Sequence, residues 1–355
     1  MSVVTVFGKP ITRLCRVDGT PISRAVDLSG ETIWPDWAEM PADIRAVLDD
    51  AMAQCADYIA ANPGAYAFPV VTDAHLAFSR REPAYISTRH PDLWSRFLFL
   101  GDMTQTHDAQ ELDDAVTFMG EATPPRLVAV GNHELSGWAE GDALPQEWYA
   151  PLVAPGAVMW DGGDGLVYYS DDDANNVRYI VLDSCTPIYK GSGVYLYPKA
   201  QLEWCASVME SAGGRDIVLC NHVMGTSFYL VTDTEQANKI ADSTITNAST
   251  VLFPMIRAYI ARETYTVTDD EGVAHVHDFS GATGAMIGYF AGHYHNAGYT
   301  NANGFNQFTS PTLGPAGEKY LKGMSFFVVD PTSRKIIWHV CDYETPQQNQ
   351  YEYPY

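Results

Sequence analysis

Five short apolar runs mark the chain, and each ends in Asp, Asn or His. Pro69-Val70-Val71-Thr72 leads into Asp73-Ala74-His75, and Phe97-Leu98-Phe99-Leu100 into Gly101-Asp102. Leu127-Val128-Ala129-Val130 leads into Gly131-Asn132-His133-Glu134. Ile217-Val218-Leu219-Cys220 ends at Asn221-His222, and the run 285–291 ends at Gly292-His293-Tyr294-His295. Runs of this length, bounded by turn residues, are expected to be buried strands. A buried strand that stops at polar groups puts chemistry at the carboxyl edge of a sheet, where open α/β folds bind ligands.

Between the runs the period changes. Helices are expected over 41–61, 111–119, 201–211 and 251–263, where apolar residues recur at helical spacing. The first carries a stripe of Ile44, Val47, Leu48, Met52 and Ile59. Asp73, Asp102 and Asn132 follow one another at intervals of about thirty residues, which suits successive βαβ units. Hairpins are expected around 8–10, 171–176, 269–272 and Pro331. The division that follows is an N-terminal extension over 1–65 (hairpin plus helix), a main domain over 66–344 and a C-terminal tail over 345–355. Within the domain, 225–284 is a long insertion expected to shape the substrate pocket, because long loops of compact domains often serve as lids.

Composition narrows the partners. The chain has 355 residues, with 21 basic and 44 acidic side chains and a formal net charge of −23. Such a surface repels phosphate backbones, which argues against a nucleic acid polymer as partner. A small phosphorylated substrate remains open if cations neutralise its site locally. The N-terminus shows no basic segment followed by a long apolar core, and no transmembrane segment is expected. A cytoplasmic location follows as an expectation. The six cysteines form no CxxC pair and are expected to be buried reduced thiols, Cys220 included. The oligomeric state is left open.

Taken singly, each polar tip has an ordinary reading. Asp73 could cap a helix, Gly131 and Asn132 could form a turn, and His222 could be a satisfied core histidine. Taken together, parallel strands sharing one edge would collect about eight oxygen and nitrogen ligands. That is more than one cation needs, so two would fit.

In this order, D-x-H, G-D, G-N-H-E, a lone His after a strand and G-H-x-H resemble the calcineurin-like metallophosphoesterase superfamily. The resemblance covers about 68–343. It implies an α/β fold, a four-layer α/β/β/α metallophosphoesterase sandwich with metals at the strand tips. It also implies a hydrolase cleaving a phosphoester with two divalent metal ions of Mn, Fe, Zn or Ni type. A binuclear metal centre lowers the pKa of a bridging water to give hydroxide and clamps the phosphoryl oxygens. By the resemblance, Asp102 is the bridge. Asp73, His75 and His295 would complete one metal site, and Asn132, His222 and His293 the other. Asn132 and His133 would contact substrate. His133 would stay off the metals and act as general acid, a task suited to imidazole near neutral pH.

Residue 105 narrows the group. Gln105 stands in GDMTQ, where the protein Ser/Thr phosphatases of the superfamily carry GDxVDRG and purple acid phosphatases have a Tyr. The usual Asp there orients the catalytic His. Asp108 or Glu134 is the expected substitute. The pattern looks most like small-molecule and cyclic-nucleotide phosphodiesterases and phosphatases, with a phosphodiester placed ahead of a monoester. The competing reading is a non-catalytic or structural protein, such as a phage or surface-assembly component, that keeps the fold.

Overall fold

The computed structural model describes residues 40–355 apart from 76–80, 124, 136–144, 163–165, 186–195, 226–227, 231–238, 241–246, 270 and 315–319. The hairpin expected around 8–10 lies outside them.

The strand-like runs are strands. Tyr66–Val71 (β1), Phe97–Leu100 (β2) and Arg126–Ala129 (β3) pair in parallel. Their neighbours in a six-stranded sheet are Gly323–Asp330 (β15), Lys335–Asp342 (β16) and Gln347–Pro354 (β17), in the order β17-β16-β15-β1-β2-β3. The second sheet has nine strands. At its centre lie Val177–Val181 (β6), Asp216–Cys220 (β7), Met286–Ala291 (β12) and Gln307–Thr309 (β14), all parallel. Val158–Met159 (β4) and Tyr168–Asp172 (β5) flank β6. Gly298–Thr300 (β13), Phe228–Leu230 (β8) and Lys239–Ile240 (β9) flank β14.

The two sheets meet through an aromatic seam. Phe68 of β1 packs edge-on against Phe290 of β12 at 5.5 Å, and Phe290 against Phe327 of β15 at 4.9 Å. Phe308 of β14 meets Trp338 of β16 at 5.4 Å, and Tyr299 of β13 stacks on Tyr353 of β17 at 3.8 Å. Such pairs bury large apolar area with preferred ring geometry. The sheet edge at β3 is closed by Tyr168 of β5. Its hydroxyl accepts from Val128 N at 2.6 Å and donates to Val128 O at 3.0 Å. That bond pair removes an exposed strand edge and ties one sheet to the other.

Helices cover the outer faces, which makes the architecture α/β/β/α. Ala42–Ala61 (α1) packs on β1, β15, β16 and β17, burying Ile44, Val47, Leu48 and Met52 as expected, with Ile59 half-buried. Glu82–Arg89 (α2) and Ala109–Gly120 (α3) follow β1 and β2. Lys199–Glu210 (α5) and Phe253–Ala261 (α6) lie on the nine-stranded side, where Arg178 of β6 donates to Val208 O at 2.9 Å and Phe253 packs on Tyr289. Between β3 and β4 runs the short helix Pro145–Tyr149 (α4).

Two readings of the sequence change here. Residues 345–355 are no tail: β17 pairs with β16 from Gln347 to Pro354 and forms the sheet's edge. Tyr351 and Tyr353 alternate inward against Trp338, so a polar-looking segment carries a half-buried aromatic face. The latter part of 225–284 is no lid. It forms α6 and a hairpin of Thr264–Thr268 (β10) and Ala274–Asp278 (β11) that packs on α5 and α6. The hairpin is held there by His277 against Glu210 at 3.1 Å. The cysteines described are free and buried, Cys220 among them. No helix among the described residues is long and apolar enough to cross a membrane.

Candidate metal centre at the shared sheet edge

The carboxyl ends of β1, β2, β3, β7 and β12 point to one edge, and the polar residues after them converge there. Each strand must turn sharply so that its side chains face inward. Nine non-glycine residues have positive φ among those described, and five are at this edge: Asp73 (52°), His75 (43°), Asp102 (52°), His293 (71°) and His295 (56°). The left-handed region costs an L-residue roughly 1–2 kcal/mol, so five at one site is backbone strain gathered at one place. Glycines let the loops touch. A Cβ on Gly131 would fall on the Asp102 amide and carboxylate, and one on Gly292 would fall on the Thr72 hydroxyl.

Side-chain ligand atoms fall into two groups with Asp102 between them. Asp73, His75 and His295 present one set within 4.8 Å of one another, and Asp102, His222 and His293 another. In the first, His295 Nε2 is 3.1 Å from Asp73 Oδ1 and 3.1 Å from His75 Nε2. His75 Nε2 is also 4.0 Å from Asp102 Oδ2. In the second, His222 Nε2 is 3.1 Å from both Asp102 Oδ2 and Asn132 Oδ1. Asp102 Oδ2 thus faces both sets. His133 lies on the outer side, its ring 4.6 Å from that of His75 and perpendicular to it. One of its ring nitrogens lies near enough to His75 and Asp102 that the three could also close on an ion.

The donor set fits cations. His222 is wholly buried, and its Nδ1 lies 2.6 Å from the Leu100 carbonyl, so Nδ1 carries the proton and Nε2 a lone pair. That lone pair faces two oxygen acceptors. Asp73 Oδ1 is buried and receives no hydrogen bond from the described residues. Lone pairs so placed call for a proton or a metal ion between them. The protonation pattern of the metal-free protein says the same. Burial disfavours charge on His222, yet Asp102 and Asp73 outweigh it and push the imidazole up to about 10. Burial would also raise Asp73 and Asp102, but the histidines around them hold both below the usual carboxylate range. Burial, then the charge of His222, pushes His293 down to about 4.

A second layer sets these ligands. The Asp73 carboxylate accepts from Thr72 Oγ1 at 2.7 Å and from His293 N at 2.9 Å. Asp102 Oδ1 accepts from His133 N at 2.7 Å. Glu134 is fully buried, and its carboxylate accepts from Asp102 N at 2.9 Å, Gly131 N at 2.7 Å and Thr104 N at 2.9 Å. It therefore ties the loop after β2 to the loop after β3. It does not orient His133, the role it shared with Asp108 as an expectation. Asp108 instead caps α3 by accepting from Gln110 N at 2.9 Å. Gln105 itself touches His133: its carbonyl is 2.9 Å and its amide nitrogen 3.1 Å from Nδ1. His107 Nδ1 donates to the Glu134 carbonyl at 2.8 Å, and His90 ends α2, so neither faces the ligand cluster.

The residues expected as ligands, Asp73, His75, Asp102, Asn132, His222, His293 and His295, lie at this edge, with His133 beside them. The sequence reading missed Thr72, the Leu100 carbonyl and the true part played by Glu134. Backbone atoms leave no residue signature, and a Thr at the end of a strand is common. Fold and cluster define an α/β/β/α protein with candidate metal-binding groups of His and Asp at its sheet edge.

No family model matches the chain, and no curated protein matches it in sequence. Solved structures of similar fold include Vacuolar Protein Sorting 29 from Cryptosporidium parvum, 9% identical, covering 82% of this chain and 99% of its own, at a TM-score of 0.33. A predicted phosphoesterase from Streptococcus pneumoniae is 7% identical over 81% of this chain and 98% of its own, at 0.35. A putative 5'-nucleotidase from Staphylococcus aureus is 13% identical over 81% of this chain and 53% of its own, at 0.39.

Proposed function

We propose that this protein is a dimetal hydrolase of small phosphoesters. The observation that carries the reading is the position of Asp102, whose Oδ2 faces ligand sets on both sides. Asp73, His75, His295 and Asp102 would hold one cation, and Asp102, Asn132, His222 and His293 the other. When bound, such a pair supplies an activated water and charge to clamp phosphoryl oxygens.

The chain's own residues do the rest. Asn132 presents its Oδ1 beside His222 at 3.1 Å, which leaves its amide for a phosphoryl oxygen. His133 donates its backbone N–H to Asp102, which fixes the residue beside the cluster. With Nδ1 on the Gln105 carbonyl, Nε2 is the ring atom that would pass a proton to a leaving oxygen. Gln105 thereby takes the orienting position through a neutral carbonyl. The motif order places phosphodiesters ahead of monoesters.

The test is parallel hydrolysis of bis-p-nitrophenyl phosphate and p-nitrophenyl phosphate after Mn²⁺ reconstitution, with bound metal counted. Turnover of the diester at about two metals per chain is the expected result. Two metals with no turnover of either would favour the structural reading. No bound metal would overturn the ligand assignment.

A further inference from the structure

The chain has 21 Tyr, 14 Phe and 8 Trp, and nearly all that are described are tucked into the seam or half-covered. Tyr320 is different. At 41% exposure it is the only exposed aromatic among the side chains described. It stands beside the metal centre: its ring lies 5.0 Å from that of His295, tilted by 68°.

Its backbone is held in that place. Leu321 N, the next amide, donates to His295 O at 3.0 Å and to Asn296 Oδ1 at 3.1 Å. Leu321 O accepts from Thr312 N at 3.1 Å, and Gly323 N donates to Thr312 O at 2.8 Å. The same segment reaches the other ligand loop, because Thr312 Oγ1 donates to Asp73 O at 2.6 Å and Gly314 N to Asp73 O at 2.9 Å. Tyr320 therefore moves with His295 and Asp73. The contact with His295 still leaves 41% of Tyr320 exposed. Exposing that much of an aromatic ring wastes apolar burial unless something flat covers it.

We propose that Tyr320 is a specificity-determining platform on which the aromatic group of the substrate stacks, so that the site prefers phosphoesters of aryl or nucleobase-bearing alcohols. This rests on the phosphoester reading of the same site. A phosphoryl group at the cluster would leave the rest of the ester to extend over the rim, where Tyr320 stands next to His295. Stacking on an aromatic side chain is sequence-tolerant and its loss weakens binding by roughly one to two powers of ten.

Adenosine 5′-monophosphate and ribose 5-phosphate separate the ring from the phosphate, because they share the phosphoester and differ in the base. Binding of each to the Mn²⁺-loaded full chain is measured by calorimetry for the wild type, Tyr320→Phe and Tyr320→Ala, with bound metal counted. The expected result is a preference for the nucleotide of about tenfold or more in the wild type, kept in Tyr320→Phe and lost in Tyr320→Ala. Equal affinity for the two probes in the wild type, or a preference that survives in Tyr320→Ala, overturns the platform and leaves the phosphoester reading standing. Failure of metal-loaded wild type to bind either probe overturns both.

Discussion

The two halves of the candidate metal centre are built differently. The half with Asp102, Asn132, His222 and His293 is set by the backbone of its neighbours. His222 is buried with Nδ1 on the Leu100 carbonyl at 2.6 Å, and the Asp102 amide is held by Glu134. In the half with Asp73, His75 and His295, Thr72 and the His293 amide hold Asp73, but the histidines are held less fully. His75 Nδ1 is buried without a hydrogen-bond partner among the described residues, and His75 and His295 meet only through Nε2 at 3.1 Å. A ligand whose far nitrogen is already fixed loses little freedom on binding metal, so outer partners typically change affinity about 10–100-fold. On the dimetal proposal, one half would be ready for its ion and the other would be completed by it.

Asp102→Asn tests what the halves share. It should strip at least one metal and lower turnover by about 10³-fold or more, read by metal analysis and steady-state rates. Retained turnover would remove Asp102 from the bridge. His133→Ala should leave both metals in place and lower kcat by roughly 10²–10⁴-fold, since it removes a proton donor and no ligand. Loss of metal in that variant would move His133 into the ligand set.

Graded chelation then addresses the asymmetry itself. Metal should leave in two steps, the weaker by about 10-fold or more. His75→Ala should erase the weaker step and keep the tighter one, as followed by metal content against chelator concentration. A single step in the wild type would make the halves equivalent.

The smallest effect is on stability. In the metal-free protein folding raises the His222 pKa from its ordinary value to about 10. That stabilisation is whole below about pH 6.5 and disappears as pH rises through 10. Asp73 and Asp102 are shifted down, so their contribution is present above the usual carboxylate range and is lost as pH falls. Melting temperature of the chelated protein should therefore fall between about pH 6.5 and 10, and that of the metal-loaded protein should stay nearly flat across it. A flat profile for both would mean that His222 does not take the proton the metal displaces.

Much of the edge was legible in the chain. Apolar runs ending in Asp, Asn or His are local patterns, and a strand's end is local too. α1, α3, α5 and the hairpin of β15 with β16 announced themselves by period and turn residues. What failed had a non-local cause. Gln347–Pro354 is polar at its exposed positions apart from Pro354, and only the partner strand and Trp338 show that Tyr351 and Tyr353 face a core. The hairpin of β10 and β11 looked like a lid because length alone cannot say which face a segment covers.

The sequence by itself determined which residues could serve as ligands and in what order they come, because strand length, turn glycines and side-chain chemistry are properties of short stretches. Only the tertiary structure decided that five strands from two sheets end at one edge, that Gly131 must be glycine because Asp102 lies against it, and that Glu134 clasps two loops through backbone amides. It also decided that Tyr320 stands in water beside His295. These depend on distances between residues far apart in the chain, and packing alone sets them.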